Sequence, residues 1–200
     1  ILIPKTPVAI TLDGSMDPVW HYAARTTINR GNKLLVPDED FAAEVRMLWD
    51  DNNIYLYAIV NDDVINTSNS AYWLNDVFQF FIDANFERNH EYDQEDLQFS
   101  YVVNDPGLSN VWNPYYDEIH STADFPNCEF KSNETEYGYD YEIRLSGTDL
   151  QSQLNFNISS GKVFGLELEF ADNDTGDRES TITWTSPWNS TYWLHSNLWG

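Results

Sequence analysis

The sequence predicts an all-β protein, an antiparallel β-sandwich of the jelly-roll or immunoglobulin-like kind, with about eight to ten short strands and a few helical turns. Segments in which apolar and polar residues alternate recur along the chain between turn-forming residues. No long amphipathic helical pattern and no repeat of fixed period interrupts them. At 200 residues, such a sandwich is most simply one domain spanning residues 1–200.

The chain opens with an apolar segment and a short turn. Residues 1–10 contain two prolines, which favours an edge strand. Asp17 before Pro18 is typical of the start of a helical turn, and Trp20, one turn later, is expected in the core. The polar residues 26–41 are predicted to form a loop.

A hairpin follows this loop. Residues alternate in polarity from Ala43 to Met47, and a second strand is predicted from Ile54 to Val60 after the turn-forming residues 50–53. Two strands separated by a short polar turn indicate an antiparallel pair.

The most apolar stretch, Val77–Ile82, predicts a strand that is buried on both faces in the middle of the fold. Gln79 is its polar exception and requires a hydrogen bond or contact with solvent. Trp73 lies in the loop just before this rigid strand, where a side chain can be held out for a ligand or can close the core.

Four further strands follow from the same patterns: Leu97–Val103, Tyr139–Leu145, Phe164–Phe170 and Thr181–Trp184. Residues 108–128 are rich in Pro and Asn and are predicted to be irregular.

The composition excludes several classes of function. A net charge of −23 repels phosphate backbones and anionic lipids, so nucleic acid is not an expected partner. No apolar run of membrane-spanning length occurs, so membrane insertion is not expected either. The aromatic share of 16% exceeds what a core usually requires and favours a recognition surface for a neutral ligand.

Carboxylates at two turns are candidate calcium ligands. Asp62 and Asp63 follow the second hairpin strand, and Asp172 and Asp174 lie in an acidic turn after the strand ending near Phe170. Hard cations such as Ca²⁺ prefer such oxygen ligands. The acidic turn does not fit an EF-hand, because the required glutamate is missing and strands flank it.

Other chemistry has little support. The histidines lack zinc-binding spacing, and no phosphate-binding glycine loop or nucleophile elbow occurs. Cys128 is the only cysteine and has no triad context. With 33 acidic residues, carboxylate pairs that imitate a glycosidase arise by chance. The sequence therefore favours binding over catalysis, with no organic cofactor.

An ordered set of motifs resembles the family 9 carbohydrate-binding modules. The set consists of Leu12-Asp13-Gly14 with Asp17 and Trp20; Val45 with Leu48-Trp49-Asp50 and Tyr55-Leu56-Tyr57; Trp73 with Asp76 and Ile82-Asp83; and Ile182-Thr183-Trp184, Ser186-Pro187, Trp193 and Trp199-Gly200. The resemblance implies a β-sandwich that binds calcium for structure and holds a sugar between two tryptophans, often at the reducing end of a chain. It also implies attachment to a secreted glycoside hydrolase, and hence a secreted or cell-surface location.

Carried over by position, the two stacking residues are Trp73 and Trp193, although an ungapped alignment places Tyr192 at the second position. Gln79, Gln98 and Ser100 are expected to supply polar contacts to the sugar. The sequence differs from the family where Gln79 replaces a glutamate, Ser100 replaces an arginine and Val102 replaces an asparagine.

Three alternatives remain at this point. One is a haem-binding sandwich for electron transfer that would use Met16 or Met47 as an axial ligand. The second is a glycoside-active enzyme with unassigned carboxylates. The third is a cell-surface interaction domain with no glycan ligand.

Overall fold

The computed structural model describes residues 1–31, 41–114, 120–186 and 191–200. They form eleven strands, one α-helix and several short 3₁₀ turns. In chain order the strands are β1 (Ala24–Ile28), β2 (Arg30–Gly31), β3 (Phe41–Trp49), β4 (Asn53–Asp62), β5 (Val77–Asp83), β6 (Asp96–Val102), β7 (Asn110–Trp112), β8 (Glu129–Thr135), β9 (Gly138–Ser146), β10 (Gly165–Asp172) and β11 (Ser180–Thr183), and the helix α1 (Gly147–Leu154) lies between β9 and β10.

The strands are arranged in two antiparallel sheets. Within the described ranges, one sheet has five strands in the order β1-β3-β4-β9-β8, and the other has six in the order β2-β11-β10-β5-β6-β7. Apolar side chains from both sheets form one continuous core. The predicted all-β antiparallel sandwich is therefore confirmed, as is the β3–β4 hairpin.

β5 is buried along its whole length, and its two faces have different roles. Phe78 and Phe80 lie in the core between the sheets, where their rings stack on Phe170 and Phe99 with centroids 4.3 and 4.9 Å apart. Because side chains alternate along a strand, Gln79 lies on the outer face of the sheet.

Apolar clusters cover that outer face at both ends of β5. Val77 packs with Tyr72, while Phe81 packs with Tyr92 and Trp199. Gln79 lies between these two clusters. A polar row that contains Gln79 thus lies in the middle of this outer face.

The outer face of the five-stranded sheet is covered by the turn Pro18–Tyr22. As predicted, Trp20 is buried there; it packs on Tyr57 and donates a hydrogen bond from Nε1 to Glu142 Oε1 at 3.0 Å. The Glu142 carboxylate also accepts from the backbone N–H groups of Asp13 and Gly14. This contact joins the amino-terminal segment to β9.

Three predictions of local structure were wrong. Residues 1–10 form no edge strand; only Lys5 bridges to Trp49. β1 and β2 lie partly within the loop predicted for residues 26–41, and β8 was not predicted at all. β1, β2 and β8 are sheet-edge strands, and such strands need little apolar surface, so their hydrophobic alternation is weak.

The irregular stretch predicted for residues 108–128 contains the short strand β7 and a 3₁₀ turn at Thr122–Asp124. Residues 115–119 of that stretch lie outside the described residues, as does Pro187 of the sequence motifs. In the part of the chain that the structure describes, no helix is long and apolar enough to cross a membrane.

Candidate functional site

A cleft of about 410 Å³ opens on the outer face of the six-stranded sheet, over the middle of β5. Tryptophans form much of its wall, and polar side chains form its floor. The lining residues are Tyr72, Trp73, Gln79, Gln98, Trp112, Glu169, Arg178 and Trp193.

Trp73 stands on a 3₁₀ turn, Tyr72–Leu74, directly before β5. Its side chain is 48% exposed, a large apolar area to leave in water. Hydrogen bonds hold this turn in place. Asn173 Nδ2 donates to the Leu74 carbonyl at 2.7 Å. Asn110 Nδ2 also donates to the Tyr72 hydroxyl at 2.8 Å. Trp73 is therefore an exposed ring on a rigid support.

Trp193 forms a second wall on another 3₁₀ turn, Tyr192–Leu194. Its side chain is 37% exposed, and its carbonyl accepts a hydrogen bond from the Tyr92 hydroxyl at 2.7 Å. Trp112 of β7 contacts it, with ring centroids 5.5 Å apart and planes inclined by 45°. The sequence offered no signal for Trp112, because it lies in a stretch predicted to be irregular.

The floor of the cleft is a row of side chains on adjacent strands. Glu169 of β10 pairs in register with Gln79 of β5, which pairs with Ser100 of β6. Gln79 Nε2 donates to Ser100 Oγ at 3.0 Å. Gln79 Oε1 accepts from Arg178 Nη2 at 3.1 Å, so both ends of this amide are hydrogen-bonded.

Arg178 and Glu169 form an ion pair in this floor, with Arg178 Nη1 3.3 Å from Glu169 Oε1. Burial raises the pKa of Glu169, and the positive charge of Arg178 opposes that rise. The Tyr192 hydroxyl also donates a hydrogen bond to the Glu169 carboxylate. Burial, followed by the charge of Glu169, raises the pKa of Tyr192.

The structure brings together most of the residues predicted to bind a ligand. Trp73, Trp193, Gln79 and Gln98 line one cleft. Ser100 is buried directly beneath, where it supports Gln79. Tyr192 points inward and is only 2% exposed; it therefore presents no face to a ligand, in contrast to its predicted role.

The four predicted calcium ligands lie at one edge of the sandwich. Oxygen atoms of Asp62, Asp63 and Asp174 lie within 4.8 Å of one another, and so do those of Asp62, Asp172 and Asp76. Asp76, three residues after Trp73, was not among the predicted calcium ligands; in the sequence it appeared only in the motif with Trp73. Carboxylates that converge in this way are a typical donor set for a hard cation.

Burial and repulsion between neighbouring carboxylates raise the pKa of two aspartates at this edge. Burial, followed by the neighbouring Asp76 carboxylate, raises the pKa of Asp62 to about 8. Burial and the carboxylates of Asp172 and Asp174 raise the pKa of Asp76 to about 7, against hydrogen bonds from the backbone N–H groups of Asn66 and Asn173. Asp62 Oδ2 is buried and has no hydrogen-bond partner among the described residues. The residues present therefore fit a divalent cation.

Neither haem ligation nor thiol catalysis is supported by the places of the residues that each would need. Met47 is fully buried in the core, and the Met16 sulfur accepts a hydrogen bond from Arg46, so neither is placed as a haem ligand. Burial raises the pKa of the Cys128 thiol to about 12, which leaves it protonated and a poor nucleophile at neutral pH.

A family model and several curated proteins match nearly the whole of this chain. The family model described as carbohydrate family 9 binding domain-like matches residues 12–200. The chain is 30% identical over 193 residues to endo-1,4-beta-xylanase A of Thermotoga maritima, covering 94% of this chain and 16% of that protein. It is 28% identical over 186 residues to exoglucanase XynX of Acetivibrio thermocellus, covering 91% of this chain and 15% of that protein. The chain thus spans a small part of each relative.

Solved structures show the same fold. A family 9 carbohydrate-binding module from Caldicellulosiruptor kristjanssonii in complex with cellotriose superposes with a TM-score of 0.80 at 23% identity, covering 99% of this chain and 90% of that one. A structure of a family 9 module from the same organism in complex with glucose gives a TM-score of 0.78. From the family match over nearly its whole length and the shared fold, this chain belongs to family 9 of the carbohydrate-binding modules, which are non-catalytic.

Proposed function

We propose that this module binds a neutral glycan of the glucan or xylan type in the cleft, with a pyranose ring between Trp73 and Trp193. The exposure of these two rings on two separate turns that line one cleft with a polar floor is the observation that carries the proposal. An aromatic face buries the C–H surface of a pyranose, while the hydroxyl groups at its rim remain free for Gln79 and Gln98. The related module crystallised with cellotriose supports this class of ligand.

A panel of soluble oligosaccharides tests the proposal. Calorimetric titration with cellotriose, xylotriose and mannotriose is expected to show saturable binding of at least one β-1,4-linked glucan or xylan oligosaccharide. Reduction of the terminal aldehyde to the alditol then asks whether binding occurs at the reducing end of the chain. If no member of the panel binds, the proposal is contradicted and the interaction domain with no glycan ligand becomes the better explanation.

We also propose that the module acts by targeting. Its relatives include xylanases and an exoglucanase that are several times longer than this chain, which supports linkage to a glycoside hydrolase outside the cell. A bound module raises the local concentration of a linked enzyme on its polysaccharide without any new contact at the active site. The expected partners are thus the polysaccharide and a covalently linked enzyme.

For the acidic edge we propose a structural calcium ion held by Asp62, Asp76 and Asp172, with Asp63 and Asp174 beside them. Such an ion would neutralise the clustered carboxylates and fix the start of β5, and with it the turn that carries Trp73. This arrangement would couple the metal to the shape of the cleft, although the ion itself lies outside it.

Calcium is expected to raise the melting temperature of the metal-free protein. A ligand that binds only the native state at a hundredfold excess over its Kd stabilises by about 2.7 kcal/mol, which corresponds to about 5–10 °C for a chain of this size. Differential scanning calorimetry with calcium and with EDTA measures the shift.

Asp62→Asn is expected to abolish most of that calcium-dependent shift, because it removes an anionic ligand from both carboxylate groups. Asp51→Asn makes the same charge change at an exposed position and is expected to keep it. Equal melting temperatures of the wild-type protein in calcium and in EDTA would contradict the proposed site.

A further inference from the structure

Arg178 reaches from the turn between β10 and β11 into the cleft and contacts three acceptors at once. Its Nε donates to the Trp73 carbonyl at 2.7 Å, its Nη2 to Gln79 Oε1 at 3.1 Å, and its Nη1 lies 3.3 Å from Glu169 Oε1. A guanidinium group is planar and holds its donors in a fixed fork. Fixing one of these acceptors therefore constrains the positions of the others.

The polar contacts continue from Glu169 to the 3₁₀ turn that carries Trp193. The Glu169 carboxylate, buried at 2% exposure, accepts a hydrogen bond from the Tyr192 hydroxyl. Tyr192 belongs to the same 3₁₀ turn as Trp193 and precedes it in the chain. A continuous series of polar contacts thus runs from the backbone of Trp73, through Arg178 and Glu169, to the turn of Trp193.

Besides Arg178, other described residues contact the Trp73 turn: Asn110 Nδ2 of β7 donates to the Tyr72 hydroxyl, and Tyr72 packs with Val77 of β5. Trp73 and Tyr72 meet edge to face, at 5.0 Å between centroids, within the turn itself. Asn173 Nδ2 donates to the Leu74 carbonyl of the same turn. Arg178 is the described residue that hydrogen-bonds both to the backbone of Trp73 and to the floor.

From these contacts we infer that Arg178 is the positioning residue of the cleft. It holds the two tryptophan-bearing turns at a fixed separation and sets the direction of the Gln79 amide, so that the site is formed before a glycan arrives. The inference rests on the proposed function for its consequence in binding, but the positioning itself is a property of the free protein. Binding energy that is not used to order the walls remains available for affinity.

The positioning is tested without any glycan. Protein labelled with 5-fluorotryptophan gives fluorine resonances for its 8 tryptophans, and Trp73→Phe and Trp193→Phe assign the two that matter. Arg178→Gln is expected to broaden or split the Trp73 resonance and to shift that of Trp193. Arg25→Gln removes an exposed guanidinium from the other sheet and is expected to leave both resonances unchanged.

The consequence for binding is tested by calorimetry with cellotriose. Because charge-assisted hydrogen bonds are lost, Arg178→Gln is expected to weaken binding about 10- to 100-fold. Arg178→Lys is expected to recover only part of the loss, since an ammonium group cannot bridge three acceptors in the geometry of the fork. Arg25→Gln is expected to bind as the wild-type protein does.

The two arms separate the two possible failures. Unchanged fluorine resonances of Trp73 and Trp193 in Arg178→Gln would overturn the inference, as would unchanged affinity for cellotriose. Absence of cellotriose binding by the wild-type protein would count against the proposed ligand, while the fluorine spectra would still decide the role of Arg178.

Discussion

Trp73→Ala is expected to weaken glycan binding by about 30- to 1,000-fold, corresponding to about 2–4 kcal/mol for the loss of an aromatic hot spot. The pyranose would keep one aromatic face and lose the other, while the polar floor remained in place. Trp193→Ala is expected to have an effect of the same order. Trp73→Phe, which keeps a smaller stacking face, is expected to fall between alanine and the wild-type residue.

The measurement is titration calorimetry with the tightest-binding oligosaccharide of the panel. Tyr137→Ala is the matched control, because it removes another exposed aromatic ring, 64% accessible, from a turn of the other sheet. Since Trp73 is half exposed, its removal is expected to change the melting temperature little. Wild-type affinity in Trp73→Ala would contradict binding between the two rings.

Glu167→Ala is expected to cause the largest loss of stability, about 3–5 kcal/mol. Glu167 is fully buried, and its carboxylate accepts from the backbone N–H groups of Trp184, Thr185 and Ser186 at 2.8, 3.0 and 2.7 Å. The Ser186 hydroxyl also donates to it at 2.7 Å. The Trp184 N–H also donates to the Leu168 carbonyl at 3.0 Å, and the Ser186 hydroxyl to the Leu198 carbonyl at 3.2 Å, so alanine would leave chiefly the Thr185 and Ser186 N–H groups without an acceptor.

For a chain of this size the corresponding fall in melting temperature is about 6–20 °C. Glu167→Gln, which keeps a single acceptor oxygen, is expected to lose less. Glu91→Ala, at an exposed position, serves as the control and is expected to melt within about 1–2 °C of the wild-type protein. A similarly small change in Glu167→Ala would show that the segment Trp184–Ser186 is held by other contacts.

The sequence predicts the interior of this fold better than its edges. β5 is recognisable as a dense apolar run and β10 by its alternation of apolar and polar residues, although both strands are buried along their whole length. β8 is a sheet edge in which only Phe130 is buried, so its polar sequence resembles that of a loop. The same limit explains why residues 1–10, apolar but without a paired neighbour strand, were mistaken for an edge strand.

Some residues of the candidate site could be predicted from the sequence and others could not. Trp73 and Trp193 were found because each lies in a local motif that resembles a known family. Arg178 was missed because two of its three contacts in the cleft are with residues about one hundred positions earlier in the chain, 105 for Trp73 and 99 for Gln79. Tyr192 and Trp193 are adjacent, and only the fold decides which of them faces the cleft.

The position of Gln79 on β5 also has a dynamic consequence. β5 is hydrogen-bonded to β10 on one side and to β6 on the other, so the backbone beneath the cleft opens only when two ladders separate. Trp73 and Trp193, by contrast, stand on short 3₁₀ turns, which are held by fewer hydrogen bonds than the paired strands and open at lower free energy. Local opening is therefore expected at these two turns before it reaches the floor of the cleft, where amide exchange should be slowest.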